Sequence, residues 1–379
     1  MLTRREFIKV SGITAVAGGG LMLGGSLAGC GTESPTGGKP SKGTVNVITW
    51  GDPQKAKLMG AAFKQETGID LNLIPGADDA DFYNKVKYGG GTQYDVVITN
   101  VGWVPLYVQN GLVELLDLSK FPNADELYPE FRTDPRFKYL KEPDQSWAFP
   151  DQWGLYGMTY STESSFKVTK PYTWEDLWRA PKGTVLLDGF YVVDMATTAR
   201  SLGIPWDRVF SITGKELDAV VERMRELKPF QMPDSTTTQI NDFRTKVVDI
   251  GLIFSLGFAS NIAAQVGQNI ATSVLPEEGA VGALDGQMLI KGARNRANAL
   301  KWINWLGGKQ AQEIFWQLYK GPTANKAATE AIIAKGGADA ALMKAQGGDQ
   351  PQLAAAMNEV QQPSNPQAWN LAWDRIQAA

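Results

Sequence analysis

Trp50 and Asp52 stand just beyond the apolar run Val47-Ile48-Thr49, on a Gly51 and Pro53 turn that cannot continue a strand. An indole face attracts an ammonium group through its quadrupole, worth ~0.5–2 kcal/mol depending on burial. A neighbouring carboxylate adds a charge-assisted hydrogen bond. Plate and carboxylate together suit an elongated amine. The other roles open to them are a core indole at a lobe edge and a turn-forming Asp before Pro. Asp188 closes a second apolar run, "TVLLD", and Asp285 opens a third, "LDGQMLI". Those two carboxyls could also be the acid and base of a glycan hydrolase. The twelve tryptophans would suit sugar stacking, but no motif supports that chemistry.

Composition removes other chemistries. The 379 residues contain no His and one Cys. The usual general base, the Ser-His and Cys-His nucleophile pairs and imidazole metal sites are therefore absent. The net charge is −3, which leaves no basic surplus for nucleic acid. No catalytic residue, metal ligand or cofactor is expected, and a mild acidic excess favours a cationic guest.

The amino terminus carries an address. Arg4 and Arg5 precede a Gly-rich apolar run from Val10 to Leu27, a pattern like a twin-arginine export signal. The run ends in Leu27-Ala28-Gly29-Cys30, similar to a bacterial lipobox, which makes Cys30 the expected lipidation site. With Cys30 so used, the mature chain has no disulfide. The run is too short and too rich in Gly to span a bilayer, which needs ~20 apolar residues. Residues 1–30 are thus expected to be an export signal. Residues 31–43, "GTESPTGGKPSKG", lack the means to bury a core and form a flexible tether.

The ordered chain alternates strand and helix. "TVNVITW", "IDLNLIP" and "YDVVITN" are predicted strands, separated by helical runs from Lys55 to Thr67 and from Asp81 to Tyr88. Such a βαβαβ order predicts a mainly parallel sheet covered on both faces. "WAFPDQWGLYGMTYS" is predicted as strand, break, strand, interrupted at Pro150. A second α/β region follows, with a helix opened by Thr173 and an amphipathic helix from Lys215 to Leu227. In an open α/β sheet, ligands collect at the carboxyl ends of strands, where Trp50, Asp52, Thr99, Asn100 and Asp188 stand.

The chain resembles the solute receptors of bacterial ABC importers, and among them the spermidine/putrescine-binding family. The resemblance rests on "FKQETGIDL", "YDVVITN", "GLVELLDLSK", "FPDQWGLYGMTYS", "TWEDLWRAPKGTVLLDG", "NALKWINWLGGKQAQE" and "KGPTANKAA" in this order. It implies an α/β, two-lobed periplasmic-binding-protein fold of type II, hinged about a ligand cleft. Lobe 1 would comprise residues 44–149 and 285–329, and lobe 2 residues 150–284 and 330–379, with crossings near Pro150, Asp285 and Glu330. It makes Thr99 and Asn100 ligand-facing and sets Phe254 where the family has a cleft aromatic. It matches Asp285 to the family's amine-holding aspartate. Three family aromatics are lost, at Ala283, Gly321 and Pro53, and Trp103, Phe190 or Tyr191 are the candidates to replace them. The second-lobe Glu of the family has no counterpart nearer than Asp194. The implied protein is a monomeric, lipid-anchored receptor on the outer face of the cell membrane. It would close on a small cationic solute and dock on a membrane permease. The same fold for an amino acid derivative, an opine-like conjugate, a metal chelate or an anion is the alternative, and a sensor role the next.

Overall fold

The computed structural model describes residues 43–378, apart from 136, 138, 143, 234, 235 and 255–270. The export signal, Cys30 and nearly all of the tether lie outside the described residues.

Six strands set up the first half of the chain: β1 Thr44–Thr49, β2 Asp70–Pro75, β3 Val96–Asn100 and the short β4 Leu116–Asp117, β5 Leu140–Glu142 and β6 Gln145–Ser146. The second half adds β7 Phe149–Ser161, β8 Val185–Leu186, β9 Ile250–Phe254, β10 Ala271–Val274, β11 Val281–Leu289 and β12 Asn358–Glu359. The main sheet runs in the order β2-β1-β3-β11-β7-β9-β8, with β10 beside β7 and β12 beside β11. β1 pairs in parallel with both β2 and β3, as the βαβαβ order predicts. The helix Pro53–Thr67 joins β1 to β2 and stops at Gly68, whose φ of 73° only glycine adopts easily. The helix Asp79–Gly89 leads from β2 back to β3.

The centre of the sheet departs from the parallel expectation, although β8 pairs in parallel with β9 and β12 with β11. β11 runs antiparallel to both β3 and β7, and β7 antiparallel to β9 and β10. β7 is also one strand of thirteen residues, not two pieces broken at Pro150. The physical reason is a β-bulge. Asp285 pairs with Gln152 and Gly286 with Pro150, so Asp151 is the extra residue on β7. A bulge leaves one backbone N–H outside the ladder, which is where a strand tolerates proline.

Two hydrophobic cores flank this sheet. The first gathers Val45, Phe63, Val96, Phe149 and Leu155 and continues through Leu284, Trp302 and Ala354. The second begins with Tyr156 and Met158, takes in Leu187, Val221 and Leu252, and ends with Val281, Val360 and Trp369. Adjacent residues Leu155 and Tyr156 on β7 thus belong to different cores, as do Val281 and Leu284 on β11. The third change falls between Ala354 and Val360, downstream of the crossing expected near Glu330. There Trp316, Ile332, Leu342 and Met343 form a small cluster of their own.

Candidate functional site

The carboxyl end of β3, the middle of β11 and the start of β7 lie side by side. Register sets Asn100 opposite Asp285, and Asp285 opposite Gln152. Gln152 donates from Nε2 to Asp285 Oδ2 at 2.6 Å. Its backbone N–H donates to Asp151 Oδ1, also at 2.6 Å. One residue therefore ties two carboxyl groups together across the bulge.

A third carboxyl comes from Asp79, the first residue of its helix. Its Oδ1 accepts from Thr99 Oγ1 at 2.5 Å and from the Asn100 N–H at 3.0 Å. Thr99 is fully buried, so its hydroxyl orients Asp79 instead of meeting a guest. Asn100 is likewise engaged, its Oδ1 accepting from the Gly102 N–H at 2.9 Å.

Electrostatics mark this region off from the surface. Burial raises the pKa of Asp79 above its ordinary value, against the lowering by Thr99 and Asn100. Asp285 keeps part of its surface exposed, yet desolvation, and after it the Asp79 charge, push it up to about 7. Asp151, 4% exposed, is held well above the usual carboxylate range by burial and then by Asp285. Among the described residues, no lysine or arginine acts on any of these three groups. Buried carboxyls without a cationic partner favour a protonated state or an incoming cation.

The second lobe brings its own pair. The helix Tyr191–Ser201 carries Asp194 in its first turn, 1% exposed. Asp194 Oδ2 accepts from the Gly189 N–H at 3.1 Å and so holds the loop that presents Asp188. Its Oδ1 is buried and has no partner among the described residues. Burial, then the nearby Asp188, raises its pKa well above the ordinary value. Tyr156 links the two sets. It lies on β7 where the cores change, 5% exposed, and its phenol feels Asp188, Asp194, Asp285 and Asp79 in that order after burial. One side chain is thus within electrostatic reach of four carboxyls drawn from both lobes.

The residues singled out in the sequence distribute unevenly around this centre. Asp285, Asn100 and Thr99 assemble as described, and Asp188 reaches the same group through Tyr156. Phe254 ends β9 directly opposite Tyr156. Trp50 is half-buried and packs edge-on against Phe82, with ring centroids 4.9 Å apart. Phe82 is on the same helix as Asp79, so the indole stands near this group. Asp52 goes elsewhere: it is exposed and caps the helix Pro53–Thr67, its Oδ1 accepting from the N–H groups of Gln54 and Lys55. Trp103 is buried against Tyr83, with ring centroids 6.2 Å apart. Gln152 reaches the space beside Gly321, where an added Cβ would come 3.2 Å from its Oε1.

Asp79, Asp151, Gln152 and Tyr156 carry the centre, and none is marked in the sequence. Only Asp151 has a readable signal, since a proline inside a strand points to a bulge, and bulges re-aim side chains beside functional sites.

The family described as bacterial extracellular solute-binding protein matches residues 59–345, well over half of the chain. The chain belongs to this family. Among its relatives, the spermidine/putrescine-binding periplasmic protein of Salmonella typhimurium is 26% identical over 273 residues, covering 71% of this chain and 74% of that protein. Among solved structures, a putative spermidine/putrescine ABC transporter protein from Listeria monocytogenes superposes with a TM-score of 0.68. The two are 21% identical over 88% of this chain and 98% of that one. The binding protein MotA from A. tumefaciens B6, in complex with glucopine, gives 0.62 at 18% identity, over 88% of this chain and 99% of that one. These superpositions give the solute-binding protein its two-lobed type II architecture.

Proposed function

We propose that this extracellular solute-binding protein is the receptor of an ABC importer for a polyamine or a closely related small cationic amine. The observation that carries the reading is the position of Tyr156 among Asp79, Asp285, Asp188 and Asp194. A cation entering there would neutralise carboxyls from both lobes at once and draw them together. The cleft would be completed by Trp50, Asn100 and Phe254, with lobe 1 ending at Leu155 and lobe 2 beginning at Tyr156. Closure forms and breaks no covalent bond, which supports a binding role over catalysis. The relatives that bind spermidine and putrescine support the same solute class. The glucopine-bound neighbour shows only that the fold accommodates other guests.

The test is a thermal-shift panel of spermidine, putrescine, amino acids, sugars and anions. A polyamine at 100 times its dissociation constant should stabilise the fold by ~2.7 kcal/mol. A panel in which only anions or neutral sugars register overturns the cationic reading. We further propose that Cys30 anchors the receptor to the outer face of the membrane after export by the twin-arginine route. A Cys30→Ser chain should then partition into the aqueous phase on detergent separation, where the parent partitions with detergent.

A further inference from the structure

We propose that the guest cation enters in exchange for a proton held on the Asp151–Asp285 pair, with Asp151 as a second carboxyl of the amine site beside Asp285. The proposal rests on the amine-receptor reading and deepens it.

The geometry comes from the bulge. Asp151 is the inserted residue of β7, so its side chain is set by a local kink and not by the regular alternation of the strand. Its backbone is fixed from the far side, where its C=O accepts from the Ala324 N–H at 2.8 Å and from Thr323 Oγ1 at 3.2 Å. Its carboxyl is fixed from the near side by the Gln152 N–H, while the Gln152 side chain holds Asp285. Gln152 thus holds both carboxyls from one position in the pairing of β7 with β11.

The groups packed around the pair leave it uncompensated. β3 contributes Thr99 and Asn100, and the segment 322–324 contributes Thr323, none of them charged. The helix Asp79–Gly89 contributes Asp79, a further carboxyl acting on Asp285. β7 contributes Tyr156, whose phenol stays neutral in this setting. Two close, buried carboxyls without a cation do not both ionise, and they titrate as a pair. Asp285 gives up its proton near 7, whereas Asp151 holds its own well beyond the usual range. Two carboxyls tied through Gln152 with no cation beside them therefore keep one proton between them once Asp285 has ionised. An ammonium group placed between them brings a full charge and three N–H donors. Both carboxyls can then be ionised, and the displaced proton passes to solvent.

The experiment is calorimetry with spermidine near pH 8, in two buffers of different ionisation enthalpy. The dependence of the heat on the buffer counts the protons exchanged, and a difference between two proteins cancels any proton the amine itself takes up. The parent protein should release about one proton more per bound spermidine than Asp151→Asn. The variant should bind more weakly, having one carboxylate fewer. A second reading needs no variant: the infrared band of a protonated carboxyl in the guest-free protein should disappear when spermidine is added. Tight binding with equal proton counts in both proteins, or no loss of protonated-carboxyl absorbance on binding, overturns the exchange. Failure of spermidine and putrescine to bind at any pH overturns the receptor reading, and the exchange with it.

Discussion

Asp285 and Asp52 are both acidic residues near strand ends, and the structure gives them opposite roles. Asp285 sits among Asp79 and Asp151 with the Gln152 side chain as its donor, so it costs stability while the cleft is empty. Replacing it with Asn should raise the melting temperature of the guest-free protein and weaken polyamine binding by about 2–5 kcal/mol. The pH dependence follows with its sign. In the folded protein burial pushes Asp285 up to about 7 from an ordinary value of 3.8. Between those values the folded state holds the extra proton, so this group's contribution to stability declines as pH rises from about 4 to about 7, then levels off. Melting curves across that range should show the decline in the parent protein and a reduced one in Asp285→Asn. Asp52 instead supplies the cap of the helix Pro53–Thr67. Asp52→Ala should cost about 1 kcal/mol of stability, read by chemical denaturation. The sequence "GDP" allowed either role for Asp52, because the same three residues make a turn, a helix cap or a ligand. Only the position of Lys55 and Gln54 relative to the carboxylate decides among them.

The elements were legible wherever one face of a helix or strand repeated its pattern. The three parallel strands and the helix ending at Thr67 follow from local residues, and the structure places them there. β7 was not legible as one strand, because the bulge that accommodates Pro150 exists only through its pairing with β11. Asp79 was hidden for a similar reason. Asp78 next to it is the helix cap, and no local pattern shows that Asp79 folds back onto the Asn100 N–H twenty-one residues on. The same crossover strand explains a packing limit. The helix Arg296–Gly307 ends against Phe149 at the start of β7, and a Cβ on Gly307 would fall 2.3 Å from Phe149 Cε1. Gly307→Ala should therefore overpack this contact and cost about 1–3 kcal/mol. Chemical denaturation should report that loss, and Phe149→Leu in the same chain should recover part of it by freeing the space.

At the scale of the whole molecule, the lobes are joined by strands that continue from one core into the other. β7 changes core between Leu155 and Tyr156, and β11 between Val281 and Leu284. A rotation of one lobe against the other is then absorbed in a few residues of each strand, the usual pattern of hinge closure. On the proposed reading, Asp79, Asp151 and Asp285 line one wall of the cleft at this hinge and Asp188 and Asp194 the other, with Tyr156 between. Like charges on facing walls oppose closure, and a cation between them reverses the sign of that force. The guest thus has the differential affinity for the closed state that any ligand-driven change requires. Small-angle scattering should show a smaller radius of gyration on adding spermidine. It should also show a smaller radius for guest-free Asp188→Asn/Asp285→Asn than for the guest-free parent near pH 8, because the double variant removes one charge from each wall. High salt should shrink the difference between the two guest-free proteins only slightly, since buried pairs are poorly screened. Identical radii for parent and double variant would place the force that holds the lobes apart in the strands themselves, not in the charges they carry.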